Sequence, residues 1–134
     1  MSADDNLKTI EAVYEAFGRG DVPFIIDAVT EDVDWAADTA STAAPWYGVR
    51  HGKDGVMSFF EAFGSTMDVQ TFEPFSLAAN DSEVHALVRF AATRRSNAKS
   101  VSMNLHHFFR FREGKIAYYR GTEDSAITEA LFRD

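Results

Sequence analysis

The hydrophobic pattern of this chain changes its period near residue 67, and that change limits the folds the chain can adopt. Before it, apolar residues recur three or four positions apart, as at Ile10, Val13 and Phe17, which is typical of amphipathic helices. After it, apolar and polar residues alternate through four segments that are separated by the turn sequences ND, SNA and REGK. Helices followed by antiparallel hairpins predict one α+β domain over residues 1–134.

Local signals place the helical segments. The first helix is expected to begin at a cap, Asp4 or Asp5, and to end at the sequence GRGD. A second, short helix carries Pro23 in its first turn, and a third starts at Lys53. Between these two, DVDWAAD is typical of a short strand, and a last helical turn or two is expected over residues 125–132. We expect the helices to cover one face of the sheet.

Charge and cysteine content exclude several classes of function. The formal net charge of −8 argues against a surface that binds phosphate backbones, so no nucleic-acid partner is expected. No apolar run approaches the roughly 18 residues of a membrane helix, and the acidic N-terminus lacks a signal-peptide pattern. With no cysteine, disulfides and thiol nucleophiles are excluded. We therefore expect a cytoplasmic protein that does not contact membranes.

Two adjacent histidines, His106 and His107, lie in the third alternating segment. Between residues 101 and 111 the odd-numbered positions are apolar except for His107, whereas His106 falls among the largely polar even-numbered positions. Because successive side chains of a strand point to opposite faces, the two histidines cannot chelate one metal together. No histidine falls in a recognised ligand spacing, so we expect neither a metal nor another cofactor.

The turn sequence FREGK decides which residue faces His107 across the sheet. A two-residue turn predicts Arg120 opposite His107, and a three-residue turn with a glycine bulge predicts Tyr119 there. We favour the three-residue form, because Gly114 tolerates a positive φ at the bulge whereas Glu113 would be strained at one. Tyr119 is then predicted to share the buried face with His107.

Five features follow one another along nearly the whole chain. They are a helix ending in GRGD, a short helix, DVDW, a loop closing on WYGVRHGKDGVMSFF, and the strand sequence HFFRFREGKI. This order resembles the SnoaL-like family of the nuclear-transport-factor-2-like superfamily. The resemblance implies a cone-shaped, curved antiparallel sheet wrapped around N-terminal helices, an apolar pocket, and a homodimer formed through the sheets. It implies no single reaction, since relatives include polyketide cyclases, ketosteroid isomerases, dehydratases and non-catalytic binders.

The resemblance also implies where a site would lie. Tyr14 is near the position on the first helix where relatives present a pocket-lining tyrosine, and His107 is where some relatives place a strand carboxylate. Asp38 lies near the end of the first strand, where ketosteroid isomerases hold their carboxylate base. Alternation puts Ala37 rather than Asp38 on the face of Trp35, so a solvated loop aspartate is the alternative.

The two faces of the predicted sheet have different expected partners. A small apolar ligand is expected to contact an aromatic lining made of Trp35, Trp46, Phe59, Phe63, Phe90, Phe109 and Tyr119. The opposite face is expected to form the homodimer contact through Leu87, Arg89, Asn104, His106, Phe108 and Arg110.

Two hypotheses about function follow from these residues. The first is a cofactor-independent isomerase, cyclase or dehydratase that acts on a small apolar carbonyl compound by general acid/base chemistry. In it, His107 is the proton shuttle and Tyr119 or Tyr14 donates to the substrate oxygen. The second is a non-catalytic dimeric protein that binds a small hydrophobic ligand. A carboxylate beside His107 would favour the enzyme, and the sequence places none there reliably.

Overall fold

The first helix is capped by a reciprocal pair of side chains. In the computed structural model, which describes residues 2–133, helix α1 spans Ala3–Gly18. The Asp5 backbone N–H donates to Ser2 Oγ at 3.1 Å, and the Ser2 N–H donates to the Asp5 carboxylate at 3.2 Å. The N-cap is therefore Ser2, and the prediction of Asp4 or Asp5 was wrong, because Asp5 serves as the third helical residue of the capping box.

Three further helices follow the expected order. Helix α2 spans Val22–Asp27 and has Pro23 at its start, where the missing N–H leaves no intrahelical bond unmade. Helix α3 spans Gly52–Thr66, and helix α4 spans Ser125–Ala130.

Six strands form one curved, open sheet. They are β1 (Val29–Ala37), β2 (Arg50–His51), β3 (Met67–Ala79), β4 (Glu83–Arg94), β5 (Ser100–Arg112) and β6 (Lys115–Thr122), in the spatial order β2-β1-β6-β5-β4-β3. Neighbouring strands are antiparallel except β1 and β6, which run parallel. The α+β fold with helices against a curved sheet is confirmed, and this parallel pair is its one departure from a wholly antiparallel sheet.

The helices pack against two ends of one sheet face. Helix α1 contacts β3 and β4, whereas α3 contacts mainly β1. Their buried side chains, such as Ile10, Val13 and Val56, meet Val33 and Phe109 from the sheet. Burying an aliphatic or aromatic side chain of this size stabilises a fold by about 1.5–3 kcal/mol, so this interface fixes the helices on the inner face.

The turn between β5 and β6 has two residues rather than three. Arg112 pairs with Lys115, and the central residues Glu113 and Gly114 have φ values of 50° and 79°. Two successive positive φ values give the turn whose twist matches that of the flanking strands. The prediction of a three-residue turn was therefore wrong, because the twist of the hairpin outweighs the local strain at Glu113.

A bulge at Ala117 shifts the strand register by one further residue. His107 consequently lies opposite Gly121, and neither Arg120 nor Tyr119 pairs with it. Because one extra residue exchanges the two faces of a strand, the bulge returns Tyr119 to the inner face. The predicted face of Tyr119 is thus correct, although the predicted register is not.

Candidate functional site

An apolar cavity remains between the helices and the inner face of the sheet. Its volume is about 90 Å³, counted as the space that the centre of a water molecule can reach. One water needs roughly 10–15 Å³ on the same measure, so the cavity is several times larger. Helices α1, α2 and α3, the loop after β1, and strands β1 and β3 to β6 all contribute to its wall.

Aromatic side chains dominate this wall. All seven residues predicted to contact a ligand line the cavity, namely Trp35, Trp46, Phe59, Phe63, Phe90, Phe109 and Tyr119. Phe17, Phe60 and Phe72 line it as well, although they were not predicted to belong to the lining. Their contact with a ligand stays a prediction.

His107 and Tyr14 form a hydrogen-bonded pair in the cavity wall. The Tyr14 hydroxyl lies 2.8 Å from His107 Nδ1, which joins α1 to β5. Burial lowers the pKa of the His107 imidazole to about 3, with a smaller effect from neighbouring His106. Burial also raises the pKa of Tyr14. Both groups are therefore neutral near pH 7.

The direction of this hydrogen bond determines what His107 offers to the cavity. We assign Tyr14 as the donor, because the unprotonated nitrogen of a neutral imidazole is a stronger acceptor than a phenol oxygen. The ring proton then resides on Nε2, for which residues 2–133 supply no acceptor. His107 thus has one N–H free to donate to a ligand.

Tyr119 places a second free donor next to His107. Its ring stacks on Trp35 with a centroid distance of 4.1 Å, and its hydroxyl lies directly over Gly121. A Cβ at position 121 would be 2.2 Å from Tyr119 Oη and 3.3 Å from His107 Cδ2, so any larger residue there would displace the Tyr119 ring. Burial, and then the charge of Glu123, raise the pKa of Tyr119, which keeps its hydroxyl protonated.

A carboxylate that the sequence analysis did not name also lines the cavity. Glu123 follows β6 directly and is partly buried. Its Oε2 accepts a hydrogen bond from Tyr47 at 2.9 Å and a short one from Thr128 in α4. The alternation that puts Tyr119 and Gly121 inward also puts Glu123 inward. Continuing it one residue beyond the predicted strand would therefore have placed Glu123 on the inner face.

The SnoaL-like domain family matches residues 10–119, which is most of the chain. The chain belongs to the SnoaL-like family. No curated protein matches it.

Several solved structures share the fold of this SnoaL-like chain. A nuclear-transport-factor-2-like protein of unknown function from Burkholderia pseudomallei is 24% identical, with a TM-score of 0.88 and coverage of 97% of this chain and 98% of that one. TerC, co-crystallised with polyporic acid, is 17% identical with a TM-score of 0.83, covering 97% and 99%. A candidate polyketide cyclase from Xanthomonas campestris is 19% identical, also with a TM-score of 0.83, covering 98% of both chains. At these identities the likeness shows the fold alone.

Asp38 is the one predicted site residue of this SnoaL-like chain that lies away from the cavity. It is exposed just beyond β1, where its backbone N–H donates to the Gly121 carbonyl at 2.7 Å. Its side chain borders a groove on the outer face of the sheet. Ala37 takes the inward position instead. The structure therefore brings together Tyr14, His107 and Tyr119 without Asp38.

Two further searches concern the part of the chain that the structure describes. Within residues 2–133, no three histidine or acidic side chains are grouped closely enough to hold a metal ion. None of the helices in that range combines the length and the apolar character needed to cross a bilayer.

Proposed function

We propose that this SnoaL-like chain is a cofactor-independent isomerase, cyclase or dehydratase that acts on a small apolar carbonyl compound. The observation that carries the proposal is the Tyr14–His107 pair, which faces a largely apolar cavity beside the free hydroxyl of Tyr119. Such donors bind a carbonyl oxygen, and they bind it more tightly as negative charge develops on it. In a largely apolar cavity, that difference lowers the barrier to enolisation or elimination.

The proposed roles follow from the neutrality of the pair. Burial makes both the imidazolium of His107 and the phenolate of Tyr14 unfavourable. His107 therefore acts as a neutral donor that is already oriented by Tyr14, and its Nε2–H hydrogen bond to the substrate oxygen strengthens as negative charge builds up on that oxygen. Tyr119 donates to the same oxygen from the adjacent strand.

Replacing His107 tests this proposal. Small carbonyl and polyketide-like compounds are first screened for those that raise the melting temperature, and hits are then assayed for turnover. We expect His107→Gln to keep the fold, since glutamine retains a hydrogen bond at similar size, and to lower turnover by roughly two orders of magnitude. His106→Gln on the exposed face is the control and should leave turnover unchanged. A destabilised His107→Gln protein with normal turnover per folded molecule would contradict the proposal.

A second candidate is a non-catalytic binding protein for a small hydrophobic ligand. Two observations favour it: no carboxylate within residues 2–133 contacts His107, and a pKa of about 3 makes its imidazole a weak base. Compounds that raise the melting temperature yet remain chemically unchanged after prolonged incubation would support this candidate.

We also propose that the outer face of the sheet forms a homodimer. Phe108 is partly exposed there, packs against His85 and Tyr118, and lies beneath the Arg110 guanidinium. A partly exposed aromatic cluster of this kind suits a two-fold contact. Light scattering at micromolar concentration should give a dimer for the wild type and a monomer for Phe108→Asp. A monomeric wild type would remove this part of the proposal.

A further inference from the structure

The cavity contains hydrogen-bond donors and a carboxylate acceptor, and the donors are more deeply buried than the carboxylate. Tyr119 and His107 are 6% and 9% exposed, and each supplies a donor. Neither the hydroxyl of Tyr119 nor the Nε2–H of His107 has an acceptor among residues 2–133. Glu123 is more exposed and supplies only acceptors. The interior therefore offers donors, and the more open end offers a carboxylate.

The carboxylate of Glu123 has unused capacity. Both hydroxyl donors, Tyr47 and Thr128, use Oε2, and no described residue donates to Oε1. No arginine or lysine within residues 2–133 forms an ion pair with Glu123. A ligand group that faces Oε1 thus meets an uncompensated negative charge. A hydrogen bond to such a charged acceptor is about twice as strong as one between neutral groups.

The spacing along β6 sets the distance between the two kinds of group. Tyr119 Oη lies over Gly121, and Glu123 is two residues further along the chain. Two residues of an extended chain span roughly 6–7 Å. A ligand that reaches both ends must carry its two polar groups several ångströms apart, across an apolar ring or chain.

We propose that Glu123 determines the class of ligand: an uncharged compound with a carbonyl oxygen at one end and a hydroxyl group at the other. The carbonyl accepts from Tyr119 and His107, and the hydroxyl donates to Glu123. Carboxylate ligands are rejected, because their charge would lie against that of Glu123 without an intervening cation. This inference rests on the proposed carbonyl-binding function.

Three probes of matched shape test the inference on the wild-type protein. They are 4-(hydroxymethyl)acetophenone, 4-ethylacetophenone and 4-acetylbenzoate, which share the ketone and differ in the group at the far end. Isothermal titration calorimetry at pH 7 should give the tightest binding for the hydroxymethyl compound, about tenfold tighter than for the ethyl compound, as expected for a hydrogen bond to a charged group. The benzoate should bind about tenfold more weakly than the ethyl compound, because its carboxylate faces the like charge of Glu123.

Glu123→Gln then isolates the charge. Glutamine keeps an acceptor for Tyr47 and Thr128, so the fold should survive, and the affinity for 4-acetylbenzoate should rise about tenfold as the repulsion is removed. Glu129→Gln in α4 is the control, since it removes one charge nearby without lining the cavity, and the ranking should stay unchanged.

The possible results separate this inference from the proposed function. Equal affinities for the three probes, or tightest binding of the benzoate by the wild type, would overturn the role of Glu123 while leaving carbonyl binding intact. If even the ethyl compound fails to bind, the proposed function fails and the inference fails with it. If Glu123→Gln does not fold, the order of affinities of the three probes for the wild type still tests the role of Glu123.

Discussion

His106 and His107 are neighbours in sequence, yet the two faces of β5 give them different chemistry. His107 is 9% exposed, holds a hydrogen bond to Tyr14, and has a pKa lowered by burial. His106 is exposed on the outer face, opposite Thr122 on the adjacent strand. Strand alternation alone separates a buried group, which must stay neutral, from one that lies in solvent. The face of the sheet that a histidine occupies, and not the residue type alone, therefore decides whether it can belong to the site.

The largest difference between the two histidines is expected in acid. His107 has a folded-state pKa of about 3, below its ordinary value of 6.5, so between these values the unfolded chain binds more protons. Above pH 6.5 its contribution to the free energy of unfolding is at its maximum. Below pH 6.5 this contribution falls by about 1.4 kcal/mol per pH unit, so about 3 kcal/mol is lost by pH 4. Urea titrations of the wild type, His107→Gln and His106→Gln at both pH values measure this.

The acid prediction concerns a difference between proteins, because carboxylates also titrate in this range. His107→Gln should lose about 3 kcal/mol less than the wild type does on going from pH 6.5 to pH 4. His106→Gln should follow the wild type. Parallel pH profiles for the wild type and His107→Gln would contradict the buried, neutral imidazole.

A smaller effect is expected from a single methyl group on the inner face. Gly121→Ala would place its Cβ 2.2 Å from Tyr119 Oη, so the ring must move off Trp35. We expect a loss of about 1–3 kcal/mol of stability, as for other overpacked sites, together with loss of probe binding. Gly64→Ala in α3 is the matched control, since nothing lies within 4 Å of its Cβ and alanine is the better helix former. Equal stability of the two variants would mean that Tyr119 is not confined there.

The smallest effect in this series concerns one hydroxyl on each face. Tyr14→Phe removes the partner of buried His107 Nδ1 and should cost about 1–2 kcal/mol. Tyr118→Phe, on the outer face, should stay within about 0.5 kcal/mol of the wild type. Thermal melts of both variants provide the comparison. If the two costs are the same, the Tyr14–His107 hydrogen bond does not stabilise the fold.

The sequence predicted the inner face of β5 well and the register of its hairpin badly, for physical reasons. Alternation depends on the period of the strand, which local hydrophobicity reveals, so the faces of His106 and His107 could be assigned. The turn type and the bulge at Ala117 depend on the twist of the whole hairpin, which overrides the preference of Glu113 for negative φ.

Residues at the ends of strands were hardest to assign to the site. Glu123 was missed because it lies one residue beyond β6, where alternation was not followed. Asp38 was named because of its place in the family pattern, but β1 continues through Ala37 and leaves Asp38 outside the cavity. Where a strand ends is set by pairing with distant segments, which period alone does not reveal.

The parallel pairing of β1 with β6 determines when the cavity wall can be completed. These strands are separated in the chain by residues 38–114, and contacts between such distant segments form late because a long loop must first close. During synthesis β1 emerges early and has only the two-residue β2 as a partner until β6 follows. The stack of Trp35 on Tyr119 spans this last junction, so Trp35 fluorescence should report the final closure of the sheet. A nascent chain that ends before β6 can therefore hold no ligand, however well its helices have formed.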